Sequence, residues 1–276
     1  MKTLFKVLAL IAFLATICVM TTSSYASITI TPNRLVFEDG DRFANVTLIN
    51  TSDKTRTYNM GWEFFRMQES GSPYKPVKQS LTEFDLSKYV VFTPRRVTLT
   101  PGSKQKIRLA LRRPADVPSG EYRAHLFFKP IPEKDDNIFQ DESEGSQKSR
   151  ATVTINVGYS IPVIFRAGQS DATLQIGDLS LDRNENNNAL EAVINVTRQG
   201  GPYGLLGHLY VYHNDAGKER LVGQISNFHI FPEINKREAV VQLTQQDISG
   251  GTLRVVVKDY RADNDTVFAE RTFPLN

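Results

Sequence analysis

Residues 151–165 read ATVTINVGYSIPVIF, and this stretch decides how the chain folds. Every odd-numbered position from Ala151 to Phe165 is apolar, whereas the even-numbered positions begin with Thr, Thr, Asn, Gly and Ser. Alternation with a period of two is typical of a β-strand that has one apolar face. The pattern continues for about 50 Å of extended chain, although a typical strand has only about 5–6 residues.

Two interpretations of this long strand remain open. It is either a core strand that ends in a connector between domains, or a strand whose first part extends beyond its own domain and completes the sheet of another protein. Proteins normally avoid long, flat edge strands because such strands recruit other chains. The second interpretation therefore implies use by a partner.

Further segments show the same alternation, and none has a sustained helical period. The alternating sets begin at Tyr58, Ile107, Tyr122, Leu190 and Leu253. Turn-forming residues lie between them, at 38–41, 100–102, 214–217 and 249–251. Many short strands at this spacing predict an all-β protein of two immunoglobulin-like sandwiches.

The domain boundary is expected near Arg166, because a new set of strands begins at Ala172. We expect one domain at 27–166 and a second, C-terminal sandwich at 167–276. No Pro/Ser-rich linker separates them, which predicts domains packed at a fixed angle. Residues 133–150 are rich in acidic and poor in apolar side chains, which predicts a mobile loop, either a solvated connector or a binding lid.

Residues 1–26 have the three-part layout of a secretory signal peptide. Lys2 and Lys6 precede an apolar run from Val7 to Met20, and small residues lead to Ala26. The run is shorter than the roughly 20 residues that span a bilayer, so we expect cleavage after Ala26 rather than a retained anchor. Cleavage removes the single cysteine and leaves an exported chain without stable membrane insertion.

The composition and motifs exclude several classes of function. The 276 residues carry a net charge of +3, too balanced for a dedicated nucleic-acid binder. The four histidines lack metal-site spacing, and no HExxH, GxSxG or phosphate-binding loop is present. The sequence therefore indicates no catalytic residues, no metal site and no cofactor, and the protein is not expected to be an enzyme.

The chain resembles the PapD-like periplasmic chaperones of the chaperone–usher pathway, which assemble pili and other surface fibres. No single motif is diagnostic, but the order and spacing of several are specific. They are Asn33–Glu38, Asn50–Lys54, Trp62, the segment Phe92–Gly102, Glu121, Pro130–Pro132, Arg166, Pro202-Tyr203 and Asp259-Tyr260. The chain is thereby identified as a divergent member.

The resemblance implies a mechanism for the long strand. A fimbrial subunit lacks the last strand of its immunoglobulin fold, and the chaperone lends its own strand, an exchange called donor-strand complementation. The donor positions correspond to Val153, Ile155 and Val157, and Tyr159 continues the same face. The resemblance also implies location in the periplasm and delivery of the capped subunit to an outer-membrane usher.

The resemblance assigns two roles to charged residues. Arg34 corresponds to a cation that binds the C-terminal carboxylate of the subunit in the cleft between the domains. The second cation of this anchor, a lysine, is missing, because Pro162 stands in its place. Glu121, Arg166 and Asp259 correspond to a charged trio that fixes the angle between the sandwiches.

Alternative functions remain. A surface or secreted adhesin-like binding module would depend instead on exposed aromatic residues such as Tyr203, Tyr210 and Tyr212, and a β-rich hydrolase is a third reading. The sequence does not identify the subunit, nor whether the free protein forms a self-capping dimer.

Overall fold

The computed structural model describes residues 28–71, 75–76, 84–132, 157–261 and 266–275. The expected signal peptide, the acidic segment 133–150 and the donor positions Val153 and Ile155 lie outside the described residues. No helix in the described part of the chain is long and apolar enough to cross a membrane.

The first half of the chain forms two sheets that face each other. Their strands are β1 (Ile28–Thr31), β2 (Leu35–Phe37), β3 (Phe43–Asn50), β4 (Arg56–Glu63), β7 (Val90–Thr93), β8 (Arg96–Leu99), β9 (Lys104–Leu111), β10 (Gly120–Ile131) and β11 (Tyr159–Ala167). The order is β1-β3-β9-β7 in one sheet and β2-β11-β10-β4-β8 in the other. A short hairpin, β5 (Phe65–Arg66) with β6 (Lys75–Pro76), follows β4.

The second half repeats this arrangement with fewer strands. They are β12 (Thr173–Arg183), β13 (Leu190–Gln199), β14 (Leu205–Asp215), β15 (Lys218–Ile230), β16 (Lys236–Gln242), β17 (Thr252–Asp259) and β18 (Val267–Pro274). They form the sheets β12-β13-β16 and β15-β14-β17-β18. The protein is therefore all-β, with two immunoglobulin-like sandwiches, as the strand pattern predicts. The proposed division at 166/167 stays a prediction.

Each sandwich has its own apolar core, built from the alternating side chains. In β10 the apolar set Tyr122, Ala124, Leu126 and Phe128 is buried, and in β13 so is the set that starts at Leu190. The two sets belong to separate clusters of buried residues. Because successive strand residues point to opposite faces, this burial confirms the alternation read from the sequence.

A third, smaller cluster joins the two sandwiches. Met67 and Ile164 from the first half pack with Leu206 and Phe231 from the second, and all four are buried. Ile164 is an even-numbered residue of β11, so its side chain leaves the opposite face of the strand from Val163 and Phe165. Strand β11 consequently contributes one face to its own core and the other to the contact between the sandwiches.

Candidate functional site

Arg34 lies between the two sandwiches. It occupies the link between β1 and β2, where the chain changes from one sheet to the other, and its side chain is half-buried. Arg34 Nη2 donates a hydrogen bond of 2.8 Å to Asn227 Oδ1, and its guanidinium lies 5.9 Å from the ring centre of Tyr260. Both residues belong to the second half of the chain, so the predicted anchor lies in the cleft.

Strand β11 has one fully paired edge and one that is paired only in part. On the first edge, all nine residues of β11 pair antiparallel with β10. On the other edge, β2 pairs in parallel with Val163, Ile164 and Phe165. Within the described residues, no strand pairs with Tyr159–Pro162 on that side. Among the strands of the described ranges, the start of β11 therefore offers main-chain hydrogen-bonding groups that no other strand uses.

The apolar face of β11 changes from buried to exposed towards its start. Ile161 and Phe165 are buried, Tyr159 is partly buried against the first core, and Val157 is 60% exposed. Tyr159, Ile161 and Phe165 have the same parity, so one face of β11 runs from the core towards the start of the strand. Of the four expected donor residues, Tyr159 lies on this face and Val157 precedes the strand by two residues, whereas Val153 and Ile155 fall outside the described residues.

Pro162 lies at the point where the free edge begins. It faces His125 across the ladder with β10, and the parallel register of Leu35 with Val163 brings Arg34 to the level of Pro162. The position expected for a second cation therefore does lie beside Arg34, but a proline carries no charge.

Other cations surround the cleft, and the sequence analysis missed them. Burial lowers the pKa of His229 to about 3; the hydrogen bond that its Nδ1 donates to Asn227 O opposes this shift, while Arg237, Arg34 and Arg123 reinforce it. Arg34, Arg123 and Arg237 therefore lie near His229, although Arg123 is paired with the Glu233 carboxylate. Cations beside the cleft attract a carboxylate.

Two of the three predicted interdomain charges are directly paired. Glu121 and Arg166 face each other on β10 and β11, and Arg166 Nε donates to Glu121 Oε2 at 3.2 Å. Glu121 also accepts a hydrogen bond from Gly204 N, and Arg166 Nη2 donates to Gly204 O. Burial raises the pKa of Glu121, although Arg166 and Arg123 oppose this shift. The pair thus connects the first sandwich to the start of β14.

Asp259, the third member of the predicted charged trio, forms its hydrogen bonds with Arg261, a residue that the resemblance does not include. Arg261 Nη2 donates to Asp259 Oδ2 at 2.7 Å, and Arg261 N donates to Oδ1 at 3.0 Å. Burial alone would raise the pKa of Asp259, but these hydrogen bonds and the nearby Arg166 hold it below its usual range.

A second interdomain contact had no sequence signal. Glu233 Oε1 accepts hydrogen bonds from Met67 N, at 2.9 Å, and from Arg123 Nη2. The Arg123 guanidinium lies 3.4 Å from the ring centre of Phe231. A carboxylate of the second sandwich therefore binds both a side chain and the backbone of the first.

The expectation that Tyr203 is an exposed aromatic residue is wrong. Tyr203 is 3% exposed, and its hydroxyl donates a 2.6 Å hydrogen bond to Ala167 O at the end of β11. The glycine-rich segment that carries it packs between the sandwiches, since Glu121 N also donates to Pro202 O. Tyr210 and Tyr212 are half-buried and point outwards from β14, with ring centres 6.2 Å apart.

The family model described as the pili and flagellar-assembly chaperone, PapD N-terminal domain, matches residues 27–169, just over half of the chain. The chain belongs to this family. Its members are periplasmic, non-enzymatic chaperones of pilus assembly, and this protein is a divergent pilus-assembly chaperone. Within the described residues, no group of three or more His, Cys, Asp or Glu side chains could hold a metal ion.

Solved structures that are similar to this chaperone include two chaperones and a complex. The Pseudomonas aeruginosa chaperone CupB2 is 15% identical, with a TM-score of 0.44 over 90% of this chain and 98% of that one. The E. coli chaperone DraB is 18% identical, with a TM-score of 0.41 over 91% and 97%. A chain of the Salmonella enterica SafA pilin–SafB chaperone complex is 14% identical, with a TM-score of 0.42 over 92% and 98%. No curated protein matches the sequence.

Proposed function

We propose that this chaperone binds fimbrial subunits by donor-strand complementation in the periplasm and delivers them to an outer-membrane usher. The observation that carries the proposal is the start of β11, where the exposed Val157 precedes an apolar face beside an unpaired edge at Tyr159–Pro162. Main-chain groups on the edge provide hydrogen bonds for a subunit strand, and the apolar face fills its groove.

The position of Arg34 determines how a subunit strand would lie. Arg34 is level with Pro162, at the inner end of the free edge. A strand that runs along this edge and ends with its carboxylate at Arg34 must run in the same direction as β11. The guanidinium suits the carboxylate, because a charge-assisted hydrogen bond is shorter and roughly twice as strong as a neutral one.

Burial of the donor side chains supplies the free energy of capture. Val153, Ile155 and Val157 each contribute about 1.5–3 kcal/mol when they move from water into an apolar groove. Three such side chains offset much of the cost of association and ordering. No nucleotide is required, because the subunit later passes to a donor strand that binds more tightly.

The two halves of the chain act as separate domains in this mechanism, 27–166 as the donor domain and 167–276 as the second wall of the cleft. The Glu121–Arg166 pair and Asp259 hold the two domains at a fixed angle, so that Asn227 and Tyr260 of the second domain stay beside Arg34. A buried ion pair is better suited to defining geometry than to adding stability.

The test uses the alternation of side chains between the two faces of the donor strand. Ile155→Asp would bury a charge in the subunit groove, and we expect a loss of at least about 3 kcal/mol of affinity, roughly two orders of magnitude. Asn156→Asp, on the opposite face, is the matched control and should lose much less. Binding of purified subunit is measured beside a thermal melt of each variant.

Two results would contradict the proposal. If Ile155→Asp unfolds the chaperone, the strand belongs to the internal core and is not donated. If both variants bind the subunit equally well, neither face enters a groove. Recovery of the subunit with the chaperone from the periplasm, identified by mass spectrometry, provides the ligand for these measurements.

A further inference from the structure

Asn227 is held in a fixed orientation that aims its side chain at Arg34. Its backbone N–H donates to His208 Nδ1 at 3.3 Å, and its backbone oxygen accepts from His229 Nδ1 at 2.7 Å. The side-chain oxygen then accepts the 2.8 Å hydrogen bond from Arg34 Nη2. Two histidines on neighbouring strands thus hold the backbone of the residue whose amide accepts a hydrogen bond from Arg34.

Asn227 lies in an irregular part of the β14–β15 pair, and this irregularity places its side chain towards Arg34. Between Gly207 and Leu209 of β14 lies one residue, whereas two residues lie between their partners on β15, Phe228 and Ile225. The extra residue makes a β-bulge, a device that redirects a side chain. Asn227 has φ of 59°, a left-handed conformation that asparagine, aspartate and glycine adopt most readily.

The chemistry of this contact resembles that of the expected ligand. An amide oxygen and a carboxylate oxygen are both acceptors, but only the carboxylate is charged and can accept from both guanidinium nitrogens at once. Asn227 is exposed, so its oxygen can return to water when another acceptor replaces it. A neutral acceptor therefore keeps Arg34 oriented without competing strongly.

We propose that Asn227 is a placeholder for the subunit carboxylate, a positioning residue whose amide oxygen holds Arg34 ready and gives way when the subunit's C-terminus arrives. This inference rests on the proposed function, since it requires that Arg34 binds a terminal carboxylate. It adds the reason for a neutral residue at this bulge: an aspartate would fit the same backbone, but its charge would compete with the subunit carboxylate for Arg34.

The test compares Asn227→Asp with the parent protein, using two synthetic peptides of the C-terminal strand of the co-purifying fimbrial subunit. One peptide has a free carboxylate and the other is amidated. We expect Asn227→Asp to weaken binding of the carboxylate peptide at least tenfold and to change binding of the amidated peptide less than threefold. A merely structural defect would weaken both peptides equally, and that result would overturn the placeholder role.

Two further variants distinguish competition for Arg34 from a direct repulsion between the introduced aspartate and the peptide carboxylate. Asn227→Gly keeps the left-handed backbone and removes the acceptor that orients Arg34. It should weaken binding of the carboxylate peptide about threefold, less than Asn227→Asp does, and leave binding of the amidated peptide unchanged; a carboxylate peptide that binds Asn227→Gly like the parent would overturn the positioning role. In an Arg34→Ala background, the penalty of Asn227→Asp on the carboxylate peptide should fall below threefold, because the competition acts through Arg34. An undiminished penalty would mean simple charge repulsion and would overturn the inference.

Failure of the inference is distinguishable from failure of the proposed function. If the parent protein binds the carboxylate and amidated peptides equally, or if Arg34→Ala binds like the parent, the carboxylate anchor itself is wrong. If both controls behave as expected but Asn227→Asp binds like the parent, only the placeholder role is wrong. Thermal melts of all variants confirm that each is folded.

Discussion

Glu121 and Arg166 face each other across β10 and β11, and the Arg166 guanidinium donates to a carboxylate that is entirely buried. Both groups also bond to the backbone of Gly204, so one ion pair ties the end of the first sandwich to the second. Its energetic importance depends on this burial, because removal of one member leaves the other charge without compensation.

Arg166→Ala should lower the free energy of unfolding by about 3 kcal/mol, since it leaves the Glu121 carboxylate buried without its cation. The control is Arg254→Ala, which breaks a two-bond pair with the more exposed Glu219 and should cost about 1 kcal/mol or less. Urea denaturation of both variants provides the comparison. Equal losses would show that the buried pair has no special role.

Arg34→Ala should leave the fold intact but weaken subunit capture at least tenfold, because hydrogen bonds to a charged group are worth about 1.5–3 kcal/mol. Arg96→Ala, which removes an exposed arginine from β8, is the matched control and should bind normally. Affinity for purified subunit and the melting temperature are both measured. An Arg34→Ala protein that melts and binds like the parent would refute the anchor.

The stability of the free chaperone should fall in acid because of His125. Burial, aided by Arg123 and His229, lowers the pKa of His125 to about 3, against roughly 6.5 in the unfolded chain. Between these values the unfolded state binds more protons, so His125 lowers the free energy of unfolding as the pH falls, by about 2 kcal/mol from pH 7 to pH 5. His229, whose pKa is also lowered to about 3, acts in the same direction.

His125→Phe isolates this contribution, because phenylalanine retains the edge-to-face packing on Phe65 but cannot titrate. The difference between parent and variant is unaffected by Glu121, whose raised pKa acts with the opposite sign. Urea denaturation of both proteins from pH 7 to pH 5 measures the difference. Identical pH profiles would show that His125 does not contribute.

Tyr203→Phe should lower the free energy of unfolding by about 1–2 kcal/mol, because the Ala167 carbonyl then stays buried without its hydroxyl partner. Tyr212→Phe is the control on the outer face of β14 and should change the stability by less than about 0.5 kcal/mol. Chemical denaturation measures the free energy of unfolding of both variants. If the two variants are equally stable, the hydroxyl of Tyr203 does not stabilise the junction.

The strands and their buried faces could be predicted because the signal for them is local. Apolar and polar residues alternate along β10 over neighbouring positions, and the apolar face of a strand is the one that packs into the core. The same reasoning predicts that Tyr159 and Ile161 share a face of β11, and both pack against the first core. The location of Arg34 in the cleft needed the family resemblance, because a single arginine near a strand has no pattern of its own.

The contacts between the sandwiches could not be predicted in this way. Arg123 and Glu233 are 110 residues apart, and nothing in either neighbourhood indicates the other. Tyr203 was misjudged because a glycine-rich segment usually marks an exposed turn, whereas here it is covered by the end of β11. The apolar positions of β15 change parity across Asn227, from Ile225 to Phe228 and Ile230, but a change of parity alone does not show which residue bulges or which side chain it redirects.

Pro162 has a consequence for the solubility of the free protein. Proline has no backbone N–H, and within the antiparallel ladder it fits only where that group would point to the edge opposite β10. The exposed edge therefore lacks one donor next to the start of β2, and we expect a second copy of the chain to pair less well with this edge. Natural proteins use edge prolines against such aggregation, so we expect the proline at the position predicted for a second cation to limit self-association of the free edge.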